Sequence, residues 1–102
     1  MKILVSTGIL IRNATGIMPT LYKNPVFHGY LADPFILHHG ESYYAYGTGI
    51  LSPEGLPFPV LQSQDLVNWT ERGWSLIPPG GDEFWAPEVV FRDGMFHMYY
   101  SA

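Results

Sequence analysis

The chain has 102 residues, a net charge of −4 and no cysteine, enough for one small domain that buries roughly two-thirds of the surface its unfolded chain exposes. Its scattered lysines and arginines form no basic stripe to neutralise phosphates, which argues against nucleic acid as a partner. Without thiols there is neither a disulfide framework nor a thiolate zinc site, and the compartment stays open.

Seven Tyr, six Phe, nine Pro and eleven Gly favour strands and turns over uninterrupted helices, so the expected fold class is all-β. Lys2 precedes the apolar runs Ile3-Leu4-Val5 and Gly8-Ile9-Leu10-Ile11. The stretch is broken by Ser6 and Thr7, lacks a small-residue cleavage site before Pro19 and is too short to span a bilayer. It reads as a strand completing a sheet elsewhere, with a signal remnant as the alternative.

Phe35-Ile36-Leu37 then leads through the turn dipeptide His39-Gly40 to Ser42-Tyr43-Tyr44-Ala45-Tyr46, the pattern of a β-hairpin. Phe58-Pro59-Val60-Leu61-Gln62-Ser63 reads as a third strand. Asp65-Leu66-Val67-Asn68-Trp69 suits one helical turn, with Asp65 capping free N–H groups. Gly73-Trp74-Ser75-Leu76-Ile77 reads as a fourth strand, stopped by Pro78-Pro79-Gly80-Gly81. A second hairpin follows, in which Val89-Val90-Phe91 and Met95 to Tyr100 flank Asp93-Gly94, the strongest short-range hairpin signal.

The hairpins repeat each other. Ala32 and Ala86 lie 54 positions apart, as do Gly40 and Gly94, and one residue of slippage after the turn aligns Tyr43 with Phe96 and Tyr46 with Tyr99. A sheet-forming unit recurring at about this period predicts a β-propeller. The expected domain is therefore a single partial propeller over 1–102. Residues 1–21 form the N-terminal strand or remnant, 22–80 the first four-stranded blade, and 81–102 the first half of a second.

Each hairpin opens on a carboxylate near a proline. Tyr30-Leu31-Ala32-Asp33-Pro34-Phe35 puts Asp33 where proline fixes the following φ and removes a donor, and Trp85-Ala86-Pro87-Glu88 puts an indole and a carboxylate at the matching point. A carboxylate at a stiff strand entrance beside an aromatic face suits gripping and cleaving a sugar. The residues alone leave alternatives open. Asp33 is a base or a turn starter, Trp85 a pocket wall or a core residue, and Glu88 a pocket carboxylate or a salt-bridge partner. His38 and His39 are adjacent, so in a strand they face opposite ways and share no metal. His28 and His97 are isolated and read as packed or solvated. Asn13-Ala14-Thr15 and Asn68-Trp69-Thr70 match the glycosylation acceptor pattern, which is informative only in a secreted chain.

Asn24-Pro25-Val26 through Asp33-Pro34-Phe35, Ser63 to Trp69, and Trp85 to Val89, taken in that order, resemble glycoside hydrolase family 43, which holds arabinofuranosidases, xylosidases and arabinanases. The resemblance covers about residues 22–102. It implies a five-bladed propeller with its active site at the mouth of the central channel, acting on arabinose- or xylose-containing, plant-type polysaccharide or oligosaccharide by inversion. It assigns Asp33 as general base, and Trp85, Glu88 and Phe35 as substrate-binding. No cofactor is required; a calcium ion near the channel axis is implied, with no identifiable ligand in this sequence.

The family's general acid and pKa-tuning carboxylate come from later blades, and none of Glu54, Glu71, Asp82, Glu83 and Asp93 sits in a matching motif. The chain is thus read as the N-terminal portion of such an enzyme. The alternative is a non-catalytic sugar-binding propeller fragment, or one that forms homo-oligomers through the exposed strand edge near Met95–Ser101.

Overall fold

The computed structural model describes residues 10–13, 16–19 and 21–102. β1 (Leu10–Asn13) and β2 (Gly16–Pro19) pair antiparallel with each other as a separate two-stranded sheet. Residues 1–9, and Ala14 and Thr15 of the first acceptor triplet, lie outside the described residues, as does most of the stretch read above as a strand or signal remnant.

β3 (Leu31–His39), β4 (Ser42–Gly49), β5 (Pro59–Ser63) and β6 (Thr70–Trp74) form a four-stranded antiparallel sheet in chain order. β7 (Trp85–Arg92) and β8 (Met95–Ser101) form a separate antiparallel pair. The described residues are all-β, one propeller blade followed by a two-stranded start of the next, and β7 packs against β3 and β4.

Both hairpin turns have two residues. His39 pairs with Ser42 across Gly40-Glu41, and Arg92 with Met95 across Asp93-Gly94. Asp93 (φ 52°) and Gly94 (φ 76°) are both left-handed, as a type I′ turn requires. In the first turn only Gly40 is left-handed, at φ 61°, which suits the glycine-first type II′ turn.

The register corrects the expected period. The pair Phe35–Tyr46 recurs as Glu88–Tyr99, and the pair Ala32–Thr48 as Trp85–Ser101, every residue moving on by 53 positions. No slippage is needed at the turn. The offset of 54 arises from matching Ala32 to Ala86, whereas Ala32 corresponds to Trp85, and Asp33-Pro34 to Ala86-Pro87.

The blade's core is Leu31, Ala45 and Leu61, packed over by Val26, Phe27 and Trp69. Leu61 is 1% exposed, and burying such a side chain stabilises by roughly 2 kcal/mol. Aromatic contacts join the two hairpins at their turn ends. His39 lies 4.5 Å from Phe91 and 4.9 Å from Phe96, ring centre to ring centre. Elsewhere Phe58, Phe84 and Tyr100 form a second cluster, with Phe58 and Tyr100 5.5 Å apart.

Two local expectations are corrected. The fourth strand runs Thr70–Trp74, not Gly73–Ile77, because Thr70 and Glu71 take the partners Gln62 and Leu61. Ser75 then donates its N–H to the Phe58 carbonyl at 3.0 Å, and Ile77 projects into solvent, 84% exposed. The segment after Ser63 contains no helical turn, since Leu66 is left-handed at φ 66°. Asp65 still caps, its Oδ1 accepting from the N–H groups of Val67 (2.9 Å) and Asn68 (2.7 Å).

Candidate active site

β3 and β7 each begin with a bulge. Between Ala32 and Phe35 the register shifts so that Asp33 and Pro34 face the single residue Gly47, and between Trp85 and Glu88 Ala86 and Pro87 face Tyr100. Such a two-against-one insertion bends a strand and re-aims its side chains. Asp33 (φ 46°) and Ala86 (φ 50°) are both left-handed, a region disfavoured for side-chain-bearing residues. The proline that follows each disfavours helical backbone at these positions as well.

That match bears on the two readings of Asp33. A turn-starting aspartate would be needed for its local hydrogen bonds. Ala86 takes the same conformation at the same register with no polar side chain. The bulge conformation at this register therefore forms without a carboxylate.

Asp33 is exposed at this entrance, and its Oδ2 lies 3.4 Å from the Thr48 hydroxyl on β4, which donates to it. The same Thr48 oxygen accepts the Ala86 N–H at 2.9 Å. Thr48 thus ties the first bulge to the second. Because β3 packs against β7, the two strand entrances lie side by side.

Trp85, next to Ala86, is 47% exposed, which leaves a face of the indole open at this entrance. Glu88 is exposed on β7 opposite Tyr99. Among the described residues the ion pair is Arg92–Asp93 at 3.3 Å. Phe35 lies opposite Tyr46. The structure gathers Asp33, Thr48, Ala86 and Trp85 around the paired bulges, with Phe35 and Glu88 as the residues that resume the ladders beyond them.

Sequence reasoning misses Thr48. It is the residue opposite Ala32, but finding it requires counting back from the Gly40-Glu41 turn and allowing for the bulge. Two other sites stand apart. An apolar cavity of about 290 Å³ is lined by Phe27, Tyr30, Leu31 and Trp74, and a polar cleft of about 370 Å³ by Gln62, Asp65 and Arg72. Neither is lined by Asp33 or Trp85.

Burial, with Tyr44 nearby, pushes the Tyr46 hydroxyl above its usual range. Burial alone would raise the Asp65 carboxyl, but hydrogen bonds from Asn68, Val67 and Ser63 outweigh it and hold the group at about 2. Among the described residues no three His, Asp or Glu side chains converge to hold a metal ion. His38 stacks on Tyr43 at 4.4 Å while His39 joins the phenylalanines, in keeping with the reading that they face apart.

The model of glycosyl hydrolases family 43 matches residues 22–102. The chain is 37% identical over 81 residues to an extracellular endo-α-(1→5)-L-arabinanase of Bacillus subtilis (strain 168), covering 70% of this chain and 24% of that protein. Among solved structures, a thermostable family-43 glycoside hydrolase matches with a TM-score of 0.71 and 37% identity over 80% of this chain and 28% of the other. An endo-1,4-β-xylanase from Bacteroides thetaiotaomicron VPI-5482 matches with a TM-score of 0.65 and 38% identity, over 72% of this chain and 27% of the other. The chain thus spans about a quarter of the length of these relatives.

Proposed function

We infer function from a plain premise, that the chain belongs to glycosyl hydrolases family 43, and propose that it carries the general base of an inverting hydrolase of arabinan- or xylan-type polysaccharide. The observation that carries this reading is Asp33 in its left-handed bulge, a conformation Ala86 adopts without a carboxylate.

In such a reaction Asp33 accepts a proton from water as the water oxygen bonds to the anomeric carbon from the face opposite the leaving group. The anomeric C–O bond breaks, and the departing oxygen takes a proton from a carboxylic acid roughly 6.5–9.5 Å from the base. None of Glu54, Glu71, Asp82, Glu83, Glu88 and Asp93 is assigned as that acid. Trp85 would stack on the sugar, with Phe35 and Glu88 lining the same entrance, Glu88 by accepting from a sugar hydroxyl.

The relatives named for arabinan and xylan support this substrate class. The test is hydrolysis of linear α-(1→5)-arabinan, xylan, nitrophenyl arabinofuranoside and nitrophenyl xyloside by the full polypeptide. Asp33→Asn should lower kcat by about 100- to 10,000-fold. Unchanged turnover in that variant removes Asp33 as base, and oligosaccharide binding with no turnover in the parent replaces the enzyme with a sugar-binding module.

A further inference from the structure

We propose that Thr48 is a positioning residue for Asp33, coupling the base to the backbone of the second hairpin; this rests on the reading of Asp33 as base. One hydroxyl has one hydrogen to donate and lone pairs to accept with. Here the Ala86 N–H takes a lone pair at 2.9 Å, which leaves the hydrogen for Asp33 Oδ2 at 3.4 Å. The Ala86 contact is short and well formed. The Asp33 contact is long, as hydrogen bonds to catalytic groups often are before substrate binds.

The asymmetry gives the pair its sense. Ala86 is held by a left-handed backbone and by the buried Pro87 that follows it, so it is the fixed end. The Asp33 carboxylate sits in an exposed contact and is the end that needs orienting. Thr48 reaches both because the bulge lengthens β3 by one residue against β4, setting Thr48 opposite Ala32 rather than opposite the aspartate. β-Branching also restricts its χ1, so the hydroxyl cannot swing freely off the line between them.

Thr48→Val keeps the branched shape and removes the hydroxyl, while Thr48→Ser keeps the hydroxyl and loses a methyl. With arabinan and xylan as probes, Thr48→Val should lower kcat toward the ~100-fold that a small misplacement of a reacting group costs, with KM changed less than about threefold. Thr48→Ser should recover most of kcat. Exchange of the Ala86 amide proton, read by NMR, should accelerate in Thr48→Val and not in Thr48→Ser.

Faster exchange with unchanged kcat would reduce Thr48 to a tie between hairpins and overturn the proposal. So would equal kcat losses in the valine and serine variants, or a Thr48→Val that melts before it can be assayed while Thr48→Ser folds yet stays inactive. Asp33→Asn separates the two claims. If it retains turnover the base assignment fails, whereas if it loses turnover and Thr48→Val does not, only the positioning role fails.

Discussion

The β3–β4 and β7–β8 hairpins are the same object built twice, 53 residues apart, with matching ladders, two-residue turns and left-handed X-Pro bulges. They differ in what is added. The left-handed position holds Asp33 in one and Ala86 in the other, and the residue facing the bulge is Gly47 in one and Tyr100 in the other. The first hairpin is extended by β5 and β6 over a buried Leu31, Ala45 and Leu61. The second has only Val89 and Pro87 well buried and leaves Phe91, Met95, Phe96 and Tyr99 exposed. The bulge is therefore a device of the repeat, and the carboxylate is what the first hairpin adds to it.

The exposed face makes the sharpest contrast between the halves. Among the described residues β8 pairs only with β7, and an unpaired edge flanked by apolar side chains invites association. Sedimentation over a concentration series should show the 11.5 kDa chain rising to a larger weight-average mass; a constant monomer mass would show that the edge is protected.

Leu61→Ala tests whether the first sheet carries the stability. It should cost about 2–5 kcal/mol in urea unfolding; a loss well below that range would mean that the blade is not the cooperative core. Gly47→Ala probes the bulge itself. An added Cβ would lie 2.6 Å from Leu31 Cγ and 2.7 Å from the Ala32 carbonyl oxygen, so the ladder opposite Asp33 must shift. Overpacking of this kind costs about 1–3 kcal/mol, and kcat should fall with it; a variant as stable and active as the parent would show that the bulge has room to spare.

The smallest effect is expected at Asp65, in the loop between β5 and β6. Asp65→Ala should remove a cap worth about 1 kcal/mol and leave turnover unchanged. Its carboxyl lies lower in the folded chain, at about 2, than in the unfolded one, at about 3.9. Its contribution is thus full above pH ~4 and lost as pH falls through about 2. Parent and Asp65→Ala melting curves should converge over that interval, and a constant difference would contradict the capping role.

Much of this is legible in the sequence. Gly40 and Asp93-Gly94 announce both hairpins because their turn types demand left-handed residues, and Asp33-Pro34 marks the strand entrance. The phase of the repeat is not legible, since the alanines at 32 and 86 are identical residues in different places. Only the backbone shows that Ala86 answers Asp33. Leu76 and Ile77 imitate a strand by apolarity alone, whereas the ladder prefers Thr70 and Glu71. Leu66 gives no sign that it will turn left-handed and forbid a helix. Thr48 escapes because its role depends on a bulge that changes which residues face each other.

The central claim is that the fold supplies the bulge and Asp33 supplies only chemistry. Asp33→Ala tests it most directly, because alanine already occupies this conformation at position 86. The full polypeptide carrying that substitution should keep the parent's circular dichroism and melting temperature to within a few degrees while losing turnover of arabinan and xylan. Retained turnover would contradict the claim, and so would a variant that loses activity because it no longer folds.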